Sequence, residues 1–345
     1  MAETKMAIYI GKDALEEVVV CDDEYPNLHH IFNHHAVICV NLTDDELDEI
    51  LEDEESELTQ LSKNDVKIIA LSDYFTALQE DRSMVVDKPR AMFFFDISKA
   101  EADKISSEYG ILVQSEKEID DNVLQLSFKK SPDKGDNFSG TRDGWSNLLF
   151  GQKLPPSNSL IITDNYLLQN EDKDKNIGFE NLKMILNAIM PKALSTTYHL
   201  LIVSPMPQKI RPEKADQLNG QLKAYLKTIR DYDIQLEFVF NDTIHPRKII
   251  SNYFVLTCDK GFKLFHPVNT TTIYDDNVVT LTSVLHDSKN TSGDTELAIS
   301  YKDIAKIRKS CVTLREQIVG GIKDPTKKII GDTGNDKTIQ NRLFY

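Results

Sequence analysis

No run in this 345-residue chain approaches the roughly 18 consecutive apolar residues that a membrane-crossing helix needs, so no transmembrane span is expected. The opening MAETKMAIYIGKD has no basic segment leading into a long apolar core, and no secretory signal is expected from it. Cysteine is scarce: Cys21, Cys39, Cys258 and Cys311 lie scattered with no C-x-x-C spacing. They read as reduced core residues of a cytoplasmic protein. Positive charge is in deficit, with 40 Lys and Arg against 55 Asp and Glu and a net charge of −15. That balance argues against general nucleic-acid binding, where neutralising phosphates dominates affinity, although it leaves room for a local basic groove. Walker, G-x-G-x-x-G, G-x-S-x-G and H-E-x-x-H patterns are all missing, so no cofactor is expected.

What is present is the composition of a folded protein, 40% hydrophobic and 28% charged, at a length that suits two domains. From Met6 onward the apolar runs MAIYI, AVICV, VKIIAL, AMFFF and ILV alternate with polar segments of helical character. That rhythm predicts an α/β domain with a mainly parallel sheet over residues 1–130. Thr43-Asp44-Asp45-Glu46 is a capping-box sequence, and Leu47, Ile50, Leu51, Leu58 and Leu61 continue it as an apolar stripe at helical spacing. The acidic residues from Asp44 to Glu57 read as the solvated face of that helix; their order does not match an EF-hand. LHHIFNHHAV packs four histidines together, and Pro26 before them points to a partly exposed loop rather than to a metal-binding helix.

Asn41, Asp73 and Asp96 each follow an apolar run, and ligands of open α/β sheets bind beyond the carboxyl ends of strands. Asp73 and Asp96 are therefore weak candidates for a metal site. Such paired acids, with MAIYIGKD as first strand, loosely resemble a PIN-type nuclease domain, although Gly11 stands where its first Asp would be. The competing expectation is that both are helix caps, Asp96 preceding a helix that Gly110 closes.

Residues 131–158 concentrate Gly, Ser, Asp and Pro and read as a linker or surface loop, with the boundary near residue 140 and Trp145, Leu148, Leu149 and Phe150 anchoring it to one domain. Residues 159–345 again alternate: SLIIT, FENLKMILNAIM, YHLLIVS, a helix over 212–230, IQLEFVF, a loop, YFVLTC, a turn at Lys260-Gly261, and a late helix from about Ser300. Asp164, Ser204, Asn241, His245 and Arg247 fall at or beyond strand ends and are candidates to line one crevice. The final IQNRLFY is apolar enough to dock, on its own core or on a neighbour.

The stretch from Phe240 to Phe265 carries His245, Arg247 and Asn252 at the spacing H-x-R-x4-N. This resembles the H-x-K-x4-D signature of the phospholipase D superfamily, with Arg for Lys and Asn for Asp. Thr243, Ile244, His245, Arg247, Ile249, Asn252 and Gly261 also resemble the phospholipase-D-like domain that closes microtubule-interacting and trafficking (MIT) proteins and its bacterial relatives, with Pro246 in place of the usual Asp. The resemblance implies a phospholipase-D-like α/β fold for 159–345. It also implies a phosphate-handling site in which His245 is nucleophile or base, Arg247 clamps phosphate and Asn252 takes the carboxylate's place. A role in bacterial defence against phage is implied in the same way.

An amide cannot raise the basicity of a histidine as a carboxylate does, and no second H-x-K or H-x-R occurs, so a competent site would need a symmetric homodimer. The leading expectation is a cytoplasmic interaction protein whose degenerate phospholipase-D-like domain binds a protein or a phosphate-bearing ligand. The alternatives are a dimeric phosphodiesterase or nuclease using His245 and Arg247, and a metal-dependent nuclease using Asp73 and Asp96.

Overall fold

The computed structural model describes residues 5–168, 176–206, 212–242, 246–286, 295–321 and 323–345. The chain divides into two compact units, one formed by residues 1–125 and 285–301, the other by 126–284 and 302–345. Among the described residues no helix is long and apolar enough to cross a membrane.

The first unit runs β1 (Met6–Ile10), α1 (Lys12–Val20), α2 (Pro26–His35), β2 (Ala36–Val40), α3 (Asp44–Glu52), α4 (Glu57–Lys63), β3 (Lys67–Ala70), α5 (Ser72–Glu80), β4 (Met92–Phe95), α6 (Lys99–Tyr109) and β5 (Leu112–Ser115). The strands form a parallel sheet in the order β3-β2-β1-β4-β5. Strand alternation sends Tyr9, Cys39, Phe93, Phe95 and Val113 to one face, where they pack with Phe75 and Leu78 of α5 and Ala102 and Ile105 of α6. Neighbours of opposite parity face the other way, and Phe94 meets Phe32 of α2 edge-on at 6.4 Å. Both faces are covered, which is why the strands read as continuous apolar runs rather than as alternating ones.

Two local expectations are corrected here. The histidine-rich stretch is the helix α2 and not a loop, because Pro26 occupies its first turn, where a missing N–H costs nothing. The acidic stripe is two helices: Thr43 and Glu46 form the capping box that opens α3, and the chain breaks at Asp53 before α4 begins.

The second unit contains β6 (Ser127–Lys130), α7 (Gly144–Leu148), β7 (Ser159–Thr163), α8 (Ile177–Ile189), β8 (Tyr198–Ser204), α9 (Pro212–Ile229), β9 (Ile234–Phe240), β10 (Lys248–Ser251), β11 (Phe254–Cys258), β12 (Val279–Ser283), the part of α10 (Glu296–Val319) from Lys302 onward, and β13 (Lys328–Gly331). Its mixed sheet has the order β13-β9-β8-β7-β10-β11-β12-β6. The strands β7, β8 and β9 are parallel, and the pairings flanking them are antiparallel. Leu160, Ile162, Leu200, Ile202, Leu236, Phe238 and Phe240 share a core with Leu182, Ile185 and Leu186 of α8 and with Leu222 and Leu226 of α9. The fold class is thus α/β throughout, with one parallel and one mixed sheet.

Residues 131–158 belong to this second unit rather than forming a connector. Trp145 is fully buried, and its Nε1 donates to Asn181 Oδ1 at 3.0 Å. That Asn181 oxygen also accepts the Phe265 amide at 2.8 Å, while Asn181 Nδ2 donates to the Phe265 carbonyl at 2.8 Å. Loop-like composition misleads here because the burial is carried by a few residues. Leu343 and Phe344 of the C-terminal segment are buried as well, with Asn341 Nδ2 donating to Leu160 O at 3.0 Å.

Candidate functional site

Because β7, β8 and β9 are parallel, their carboxyl ends open at one edge of the sheet, and the residues that follow them become neighbours. Asp164 N donates to Val203 O at 3.3 Å, and Asn241 N donates to Ser204 O at 3.1 Å. The strand ends therefore stand side by side, as the sequence suggested. Two of the three side chains are turned to structural work. Ser204 Oγ reaches the Pro205 carbonyl at 3.4 Å, and Asn241 Nδ2 donates to Ser310 Oγ of α10 at 2.7 Å.

Asp164 organises what remains. It is fully buried; its Oδ1 accepts the Tyr166 amide at 2.7 Å and its Oδ2 accepts the Phe262 amide at 2.8 Å. One carboxylate so fixes both the start of the Tyr166 loop and the turn that presents Lys263. Gly261 is obligatory in that turn: its φ is +87°, and a Cβ there would lie 2.8 Å from Asp164 Oδ2. Burial pushes the Asp164 carboxyl above the usual carboxylate range, opposed by the two amides and then by the fields of Arg247 and Lys263.

Arg247 emerges beside this carboxylate because β10 pairs antiparallel with β7, Lys248 opposite Thr163, and Thr163 Oγ1 holds the Pro246 carbonyl at 2.7 Å. Its Nη1 donates to the Asp259 carbonyl, and its guanidinium lies over the Tyr166 ring, 4.7 Å from the centroid. Lys263 Nζ stands 5.7 Å from the same centroid. Tyr166 remains 37% exposed, so an aromatic ring flanked by two cations faces outward at the strand ends. The neighbouring Lys248 makes a half-buried ion pair with Asp303 of α10 at 2.8 Å.

The sequence missed Tyr166 and Lys263. The signal for them was positional: Tyr166 lies two residues past the strand-terminal Asp164, and Lys263 two past the turn glycine. His245, with Thr243 and Ile244, lies outside the described residues.

Asn252 is corrected. It follows β10, a strand the sequence reading folded into the preceding loop, and so sits at the opposite end of that strand from Arg247, roughly 13–16 Å away at 3.3 Å per residue. It is fully buried, where Oδ1 accepts the amides of Asn158 and Ser159, both at 3.1 Å, and Nδ2 donates to Asn158 Oδ1 at 3.1 Å. It clamps the entry to β7 and takes no part in a site with Arg247.

In the first unit, Asp73 and Asp96 are not brought together. They follow β3 and β4, three strand spacings apart in the sheet order, which is about 14 Å. Asp96 is exposed and pairs with Lys117 at 2.9 Å. Neither is an N-cap: Ser98 caps α6, and Asp73 lies in the first turn of α5. What does gather at this strand edge is Glu116, whose Oε1 accepts the Gly11 amide at 2.7 Å, and Asn41, whose Oδ1 accepts the Lys12 amide at 2.9 Å. Both cap the otherwise uncapped start of α1. Among the described residues no three His, Cys, Asp or Glu side chains are grouped to hold a metal ion.

Chemically, the edge of the second sheet offers permanent positive charge, a planar donor fork and an exposed ring. That combination suits phosphate or carboxylate recognition. No protein-family model matches the chain, and no curated protein matches it in sequence.

Proposed function

We propose that this chain is a cytoplasmic interaction protein whose C-terminal unit is a phospholipase-D-like module, catalytically incomplete, that binds a phosphate-bearing ligand through Arg247. The observation that carries this reading is the Arg247–Tyr166–Lys263 cluster held over the buried Asp164. A guanidinium whose plane is already set by a ring loses little freedom when it meets a phosphate, and it offers two parallel donors to two oxygens. The engagement of Asn252 at the far end of β10 supports binding without turnover, since the residue at the motif's carboxylate position is an amide already occupied in clamping the entry to β7. The resemblance to bacterial relatives of the MIT-protein domain adds a setting to the proposal, defence against phage.

The experiment is a turnover assay beside a binding assay on the full chain, using a generic phosphodiester and short single- and double-stranded DNA and RNA, with and without divalent metal. The reading expects no turnover in any arm. Metal-independent hydrolysis that vanishes in His245→Ala would replace it with the dimeric phosphodiesterase.

A further inference from the structure

The charge that argues against nucleic-acid-like ligands is not shared evenly along the chain. The first unit holds 33 Asp and Glu against 11 Lys and Arg, a net −22, whereas the second holds 22 against 29, a net +7. Much of that surplus lies on the second unit's part of α10, where Lys302, Lys306, Arg308, Lys309 and Arg315 face only Asp303 and Glu316 in sequence. Asp303 is already engaged by Lys248, and Glu316 is next to Arg315 in sequence and so points about 100° away around the helix.

A cavity of about 60 Å³ lies between this helix and the C-terminal segment, lined by Arg308, Cys311, Val312, Arg315, Thr338, Ile339, Phe344 and Tyr345. A volume of that size admits small polar groups or a few waters rather than a whole drug-sized ligand. Arg308 and Arg315 are seven residues apart, so they project from the same face about 10 Å apart along the helix and can converge on one group. Among the described residues neither forms an ion pair. Arg315 Nη1 reaches Thr338 Oγ1 at 3.5 Å, and the Arg308 guanidinium lies 5.0 Å from the Tyr345 ring centre. Two of the lining residues are exposed apolar side chains: Val312 is 38% exposed and Tyr345 74%. Two guanidiniums, neither held in an ion pair among the described residues, beside a hydroxyl and next to an exposed ring, constitute an anion seat with a stacking surface at its edge.

We propose that this cavity binds the phosphate of a nucleotide-type ligand, with Arg308 and Arg315 holding the phosphate oxygens and the ligand's ring resting against Tyr345 and Val312. The site shares no residue with the Arg247 cluster, so either reading can fail alone. The test is isothermal titration of the full chain with AMP, inorganic phosphate and adenosine, on the parent protein and on Arg308→Gln, Arg315→Gln and the distant charge control Lys104→Gln. The expected result is AMP binding at least tenfold tighter than inorganic phosphate and tighter than adenosine. Each arginine variant should weaken it at least tenfold with an unchanged melting temperature, and Lys104→Gln should leave it alone. Three results overturn the proposal: no AMP binding at millimolar concentration, equal binding of phosphate and AMP, or AMP binding indifferent to both arginine variants.

Discussion

The guanidinium of Arg247 lies 4.7 Å above the ring of Tyr166, and the loop carrying that ring is fastened by the buried carboxylate of Asp164. Charge, ring and carboxylate come from the residues just after β7 and just before β10, two segments about 80 residues apart in sequence. They meet because β10 returns antiparallel along β7. The proposed binding surface is thus a property of the sheet's strand order, and disturbing its supports should disturb stability together with the proposed binding.

Gly261 is the most sensitive support. Gly261→Ala places a Cβ 2.8 Å from Asp164 Oδ2 at a φ of +87°. The strained backbone and the displaced acceptor together should cost about 2 kcal/mol or more. The measurement is urea unfolding followed by the fluorescence of Trp145, the chain's single tryptophan, which reports on the second unit. An unchanged midpoint would mean that the Asp164–Phe262 link carries no weight.

Asn181 should matter still more. It answers the Trp145 Nε1–H and the Phe265 N–H with one buried oxygen and donates to the Phe265 and Ile177 carbonyls. Asn181→Ala strands two buried donors, and the expected loss is about 2–5 kcal/mol. Calorimetry should show the second unit melting earlier while the first keeps its transition.

Asn252→Asp restores the acidic residue of the motif that the sequence resembles, yet it should not create an enzyme. The change removes the Nδ2–H donated to Asn158 Oδ1 and sets a buried carboxylate in its place, which should cost about 1–3 kcal/mol. A gain of phosphodiester hydrolysis in this variant would contradict the structural role assigned to Asn252.

The C-terminal segment should give the second unit a pH-dependent stability with two opposing limbs. Glu237 Oε1 accepts the Gln340 amide, and burial raises its carboxyl to about 7. Between the ordinary carboxylate value near 4.5 and 7 the folded chain holds a proton that the unfolded chain has released. Glu237 therefore takes stability away as pH rises through that window. His199 Nδ1 contacts the Gln340 carbonyl, and burial lowers this imidazole to about 4. Between 4 and 6.5 the unfolded chain is the one that binds the extra proton, so His199 takes stability away as pH falls. Glu237→Gln should abolish the first limb and raise stability at pH 8, by up to about 3 kcal/mol. Melting temperatures across pH 4 to 8 that show the same slope in parent and variant would refute this.

Much of the architecture was legible because the central strands of both units are buried on two faces: MAIYI, AVICV and YHLLIVS read as interior strands, and the polar residues after them fall at strand ends. Two kinds of information were hidden. Short elements escaped, since Lys248–Ser251 carries too few residues to show a period, and this hid the distance between Arg247 and Asn252. Burial carried by single residues escaped too: Trp145 sits in a stretch rich in Gly, Ser and Asp, and nothing in that composition shows that Asn181 waits for its N–H. Pro26 misled for the opposite reason, because a residue that ends most helices is well suited to start one. Asp73 and Asp96 follow β3 and β4 in sequence, but strand order, which separates them, is not written in spacing.

The central claim is tested most directly by the affinity of the full chain for a thymidine dinucleotide, a ligand with one phosphodiester, measured by isothermal titration for the parent, Arg247→Lys and Arg247→Ala. The account predicts binding that weakens by about 1.5–3 kcal/mol in Arg247→Ala, the range for hydrogen bonds to a charged group. Arg247→Lys should recover only part of it, because an ammonium keeps the charge but loses the planar fork and the stacking on Tyr166. Equal affinity in all three proteins, or no binding by the parent, would contradict the account.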